Sequence, residues 1–131
     1  MRHIILILTF VIFIIPCSQS QIKKGDRFIE FWGTFKKAVL ANDKKAVFSM
    51  SHLPLDIGVE TENQFYDNFD TFFDNAVLKE FRLKSPQKVT GKSDESIRDL
   101  KGQYFIKANY CYFTFKKIND KWMFVTRGCP G

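Results

Sequence analysis

The order of patterns along the chain predicts an α+β fold, with N-terminal helices packed into a strongly curved antiparallel sheet. Three observations carry this. Large apolar side chains recur at helical spacing over residues 28–39, and a second aromatic series follows over residues 62–81. Residues 103–127 then change to the tyrosine-, phenylalanine- and threonine-rich composition of strands, interrupted by Asn119-Asp120. A length of 131 residues, with no repeat and no linker, suits one domain.

The first helix is the organising element. Phe28, Phe31, Trp32, Phe35 and Val39 fall on one face. Five such side chains need a broad apolar partner, which a curved sheet supplies, so Trp32 is assigned to the core. Asp26 is placed to cap the helix N-terminus. Gly33 costs roughly 1 kcal/mol relative to alanine and is expected to mark a close backbone approach. Asn42-Asp43 ends the helix and caps a short second one that buries Ala46, Val47 and Met50. Pro54 disfavours helix at Leu53, and residues 55–59 read as an edge strand. Thr61 and Gln64 form a capping box ahead of Phe65, Phe69, Phe72 and Phe73. Asp74-Asn75 separates these from a further turn or two bearing Ala76, Val77, Leu78 and Phe81. The aromatic stripe suits either a ligand cavity or a core, and the core reading is taken.

Ser85-Pro86 is a turn, residues 88–90 a strand, residues 91–95 a turn and residues 96–100 a short strand. Residues 103–117 read as the longest strand and residues 122–127 as its return. If Ile118 faces Trp122, then Phe115 faces Val125, Phe113 faces Arg127 and Cys111 faces Cys129. Cys111, Phe113, Phe115, Met123, Val125 and Cys129 then share the inner face. Tyr104, Ile106, Tyr110, Tyr112, Trp122 and Phe124 fall on the outer one. The pairing of the cysteines and the apolar face agree, which predicts a Cys111–Cys129 disulfide. Lys107 and Asn109 share the parity of Cys111, and Arg127 lies opposite Phe113. These three are therefore placed on the inner face near its mouth, a polar end suited to an anion. The alternative turns them outward by strand twist or a bulge.

Residues 1–20 read as an export signal: Arg2, an apolar core over residues 4–15, and Ser18 and Ser20 before the cut. The domain is then residues 21–131, periplasmic or secreted, with no transmembrane segment after cleavage. Cys17 raises a lipoprotein alternative, against which Pro16 is a poor neighbour; the favoured reading discards Cys17 with the signal. The two cysteines left fit an oxidising compartment.

The formal charge of +6 is spread in lysine pairs, Lys23-Lys24, Lys36-Lys37, Lys44-Lys45 and Lys116-Lys117. It reads as a solvated surface, not a nucleic-acid face. His52 is the single histidine beyond the signal, so a metal site is unsupported, and no phosphate loop, nucleophile elbow or zinc-protease motif occurs. No cofactor is implied. His52 and Asp67 are the weak candidates for a general base, with a dyad of His52 and Asp56 or Asp67 as the arrangement to look for. Tyr66 joins Lys107, Asn109 and Arg127 as a candidate binding residue.

Three stretches carry a family resemblance. FIEFW followed by FKKAV over residues 28–39, DKKAV leading to HLPL over residues 43–55, and residues 116–124 ending in KWMF are similar to exported bacterial members of the nuclear transport factor 2-like, cystatin-like cone. The resemblance spans residues 24–129. It implies helices held in a curved sheet and, in many members, dimerisation through the outer sheet face. Ketosteroid isomerases, polyketide cyclases, dehydratases and transport adaptors share this fold, so it leaves function open. No catalytic constellation of the family matches here, and no catalytic role is carried over. Three functions compete: an exported non-catalytic binding module for a small apolar or anionic ligand, a small pocket enzyme on an apolar ligand, and an envelope structural protein. A homodimer through the outer aromatics is expected.

Overall fold

In a computed structural model of the protein, residues 27–55, 58–90 and 101–130 are described. The expected export signal, the expected cap Asp26, Asp56, the expected turn at 91–95 and the expected strand at 96–100 lie outside them. The elements are α1 (Phe28–Leu40), α2 (Lys44–Ser49), α3 (Glu62–Phe72), α4 (Asn75–Leu83), β1 (Gln87–Lys88), β2 (Tyr104–Ala108), β3 (Cys111–Ile118) and β4 (Lys121–Gly128). The fold is α+β, and the sheet is an open antiparallel meander in the order β1-β2-β3-β4.

Local chemistry sets the helix ends. Asn42 adopts φ 55°, and Asp43 N–H reaches Ala38 O while Asn42 N–H reaches Val39 O, which satisfies the last carbonyls of α1. Asp43 then caps α2, its Oδ1 accepting from Ala46 N–H at 3.1 Å. The capping box of α3 forms, with Thr61 Oγ1 accepting from Gln64 N–H and Gln64 Oε1 accepting from Thr61 N–H. Asp74 does the same for α4 through Val77 N–H.

The core lies between α1, α3, α4 and the inner face of the sheet. Phe35 is fully buried, its ring centroid 5.2 Å from that of Phe115 and 5.5 Å from that of Phe124. Trp32 packs edge-on against Phe81 and Phe115, so its core assignment holds. Phe28 stacks on Tyr104 at 3.7 Å. Phe31 is only partly buried, at the shoulder of the stripe. Val47 is buried in α2, whereas Ala46 and Met50 are half-buried. Phe65, Phe69, Phe72 and Phe73 are all core.

The sheet corrects the expected alternation. Residues 103–117 are not one strand but a hairpin, broken at Asn109 (φ 48°) and Tyr110 (φ 65°). Two positive φ angles in succession make the tight two-residue turn whose twist matches paired strands. Ala108 therefore pairs with Cys111, Ile106 with Phe113, and Lys107 with Tyr112. Lys107 lies on the outer face, and Tyr104 and Ile106 on the inner one.

The last hairpin turns on Asn119 (φ 49°) and Asp120 (φ 65°), so Ile118 faces Lys121 rather than Trp122. Phe115 accordingly faces Phe124, not Val125. The pairing then slips by one: Thr114 faces Thr126 and Phe113 faces Arg127, leaving Val125 as the extra residue of a bulge. Trp122 and Phe124 are buried, and Met123 and Val125 only partly so. The inner face of β4 therefore carries Trp122 and Phe124, and the expected placement of Met123 and Val125 there is overturned.

Leu55, Gly58 and Val59, the described residues of the expected strand at 55–59, belong to no strand. Leu55 N–H donates to Val59 O, and the bridge to the sheet comes earlier, at Ser51 beside Phe124.

Gly33 is exposed, and a Cβ there would meet nothing within 4 Å, so no close approach explains it. Gly33→Ala is expected to stabilise the protein by about 1 kcal/mol, read as a raised denaturant midpoint at unchanged slope. Tyr110 holds a left-handed conformation that a bulky side chain tolerates poorly. Tyr110→Gly is expected to gain about 0.5–1 kcal/mol, the relief of that conformation less the added chain entropy of glycine. A loss of stability in thermal unfolding would mean the ring makes contacts that outweigh the strain.

Candidate anion cleft at the end of β4

The bulge at Val125 turns Arg127 towards the inner face. Its Cζ lies 5.1 Å from the centre of the Phe72 ring and 5.9 Å from that of Phe113. Its Nε is buried and has no hydrogen-bond partner among the described residues. Trp32 Nε1, Trp122 Nε1 and Glu80 Oε2 are also buried without a hydrogen bond, but the indoles are neutral and Glu80 is ion-paired with Lys84. Of these four groups, only Arg127 is a charge with no counter-ion among the described residues. Leaving such a group unanswered is costly.

Arg127 borders a cleft of about 410 Å³ with Gly58, Val59, Asn68, Phe72, Gly128 and Cys129. α3 supplies Asn68 and Phe72, the chain before it supplies Gly58 and Val59, and the end of β4 supplies the rest. The disulfide holds that end: Cys111 and Cys129 are joined with their Cα atoms 4.2 Å apart, as the sequence predicts. Asn68 is tied to α3 by one amide N–H, which donates to Gln64 O at 2.8 Å. Chemically the cleft offers one guanidinium, one carboxamide, two glycine backbones and an apolar wall.

The other expected site residues do not gather here. His52 is exposed, and its backbone N–H donates to Phe124 O at 2.8 Å. Asp67 is exposed on α3, and no hydrogen bond joins it to His52. Asn109 sits in the β2–β3 turn rather than in a strand, its Nδ2 donating to Asp74 Oδ2 at 3.2 Å. Lys107 is exposed, with Nζ 5.5 Å from the ring of Tyr112. Tyr66 donates its hydroxyl to Glu62 at 2.7 Å. That hydrogen bond, then burial, then the Glu62 charge raise the Tyr66 pKa above the ordinary phenol value. Its ring lies against Phe48 and Phe65.

Asn68 escaped the sequence reading, though a signal was present. It falls three residues after Phe65 and four before Phe72, a polar position inside the apolar stripe of α3. Of the six aromatic and aliphatic residues expected outside, Tyr104, Ile106, Trp122 and Phe124 join the core or pack against it. The exposed aromatics left are Tyr112 on the outer face and Tyr110 at its rim.

Among the described residues, no three metal-ligating side chains come together, and no helix is long and apolar enough to cross a membrane. No family model, no curated protein and no solved structure matches the chain.

Replacing Cys111 and Cys129 together by alanine is expected to cost about 3 kcal/mol, the loop-closure value for so short a spacing. Equilibrium unfolding of wild type with and without reductant should show the same loss. An unchanged midpoint would mean the bridge does not constrain the unfolded chain.

Proposed function

We propose that the chain is an exported, non-catalytic binding module built on the nuclear transport factor 2-like, cystatin-like plan, and that its ligand enters the Arg127 cleft. The observation that carries this reading is Arg127, a guanidinium with no hydrogen bond and no counter-ion among the described residues, at the edge of an open cleft. Ligand binding is the simplest way to answer a group the fold leaves unbonded.

The packing of the sheet's inner face supports a rim site over an interior one. Phe35, Phe81, Phe113, Phe115 and Phe124 fill that face and are fully buried. Pocket enzymes of this type hold their acids and bases where these rings stand. The disulfide fits an oxidising compartment and so supports export. The order of helices before an antiparallel sheet supports the cone. A homodimer through the outer face stays part of the reading on narrower grounds, with Tyr110 and Tyr112 as its exposed aromatics.

The test is to express the full chain with its own leader in an export-competent bacterial host and recover the mature protein. Intact mass should place the new N-terminus at Gln21, and native mass spectrometry should show a small-molecule adduct that Arg127→Leu loses. A diacylglyceryl group on Cys17 would replace the free exported protein with a lipoprotein. Conversion of the adduct on incubation, abolished by His52→Ala or Asp67→Ala, would replace the binding module with a pocket enzyme.

A further inference from the structure

The Arg127 cleft has a chemistry specific enough to name a ligand class. The guanidinium is planar and presents its N–H groups along its edges. The Phe72 and Phe113 rings lie close enough to attract its charge, but a ring offers no lone pair to an N–H. Nε itself is enclosed, so what the cleft can offer a ligand is the terminal N–H groups of the guanidinium, which have no lone pair to answer them among the described residues.

The rest of the lining narrows the choice of anion. Among the described residues, no lysine and no second arginine borders the cleft. A phosphate dianion is matched by several cations or a nest of backbone N–H groups. A single guanidinium instead matches a flat monoanion with two oxygens in one plane, which it can take in two parallel hydrogen bonds. Asn68 keeps a second amide N–H beyond the one given to Gln64 O, so it can add a donor. A carboxylate alone would leave most of the 410 Å³ empty, while Val59, Phe72 and the Cys129 sulfur form an apolar wall beside the charge.

We propose that this cleft binds a carboxylate carried on a small apolar body, with Arg127 taking the carboxylate and Val59 and Phe72 taking the body. This rests on the cleft being the ligand site. Two sources present the same chemistry: a free small carboxylic acid, and the C-terminal end of an extended peptide with an apolar last residue.

The test follows the Arg127 Nε–Hε resonance of the mature, oxidised protein by proton–nitrogen NMR. Benzoate at millimolar concentration should shift that resonance saturably. Benzamide, which keeps the body and lacks the charge, and inorganic phosphate should not. Arg127→Lys keeps the charge but loses the fork, and should weaken benzoate binding by about tenfold or more, measured calorimetrically. Asn68→Ala should weaken it by a smaller factor with the fold intact. A tripeptide ending in phenylalanine then separates the sources. If it binds about tenfold tighter than benzoate and its C-terminal amide does not bind, the source is a peptide end. If benzoate binds as well as the tripeptide, the source is a small acid. Either result supports the carboxylate.

Benzamide binding as tightly as benzoate, phosphate binding tighter than benzoate, or Arg127→Lys leaving benzoate affinity unchanged would overturn it. Silence of the Arg127 resonance to every probe would also overturn it. An adduct in native mass spectrometry lost in Arg127→Leu would still stand in that case, so a failed ligand class is distinguishable from a failed site.

Discussion

The bulge at Val125 is the constraint on which the rest of the molecule depends. Near the Asn119-Asp120 turn, pairing must bring Trp122 and Phe124 to the inner face, because α1 offers its aromatic stripe there. Further along, pairing must bring Cys129 to Cys111. One uninterrupted ladder cannot do both. Continued from the turn without a slip, it would set Arg127 opposite Tyr112, on the outer face, and carry Cys129 past its partner. The unpaired residue reverses the alternation once, so the aromatic core, the disulfide and the guanidinium all face inward.

This also explains which parts were legible in the sequence. The helix caps at Asp43 and Thr61 were readable because each is a bond between neighbours a few residues apart, whereas Asp74 was read as a break between helices and its capping bond was not. The disulfide was readable because the pairing assumed for the hairpin is the one that holds beyond the bulge. The same assumption failed before it, and Met123 and Val125 were exchanged with Trp122 and Phe124. Asn119-Asp120 did carry the information, since both residue types tolerate positive φ and so favour a two-residue turn. The Asn109-Tyr110 turn was not legible, because tyrosine at such a position is contrary to its own preference. Tertiary packing imposes it, through Asn109 on Asp74. Lys107 was misplaced for that reason alone, and Arg127 was placed correctly because it lies beyond the slip.

The aromatic composition bears on where a ligand can sit. Fifteen phenylalanines in so short a chain demand burial. Rings of α1 and α4, and Phe73 just past the end of α3, meet those of β3 and β4 at centroid distances such as 5.2 Å for Phe81 and Phe113 and 5.7 Å for Phe73 and Phe113. A filled inner face leaves polar chemistry to the periphery. There the strands end, and Gly58 and Gly128 present backbone beside Arg127.

Residues 50–52, introduced as a short bridge, have a further effect. Met50 O accepts from Phe124 N–H and His52 N–H donates to Phe124 O, both at 2.8 Å, on the side of β4 away from β3. The outer strand of a meander otherwise displays free backbone groups along its length, a template for a strand of another molecule. Here the groups of its most apolar position are occupied by the chain's own backbone. At the opposite border, β1 covers only the beginning of β2, and α4 packs near the remainder. The sheet is thus guarded at both borders against strand-by-strand growth, which a phenylalanine-rich chain would otherwise invite.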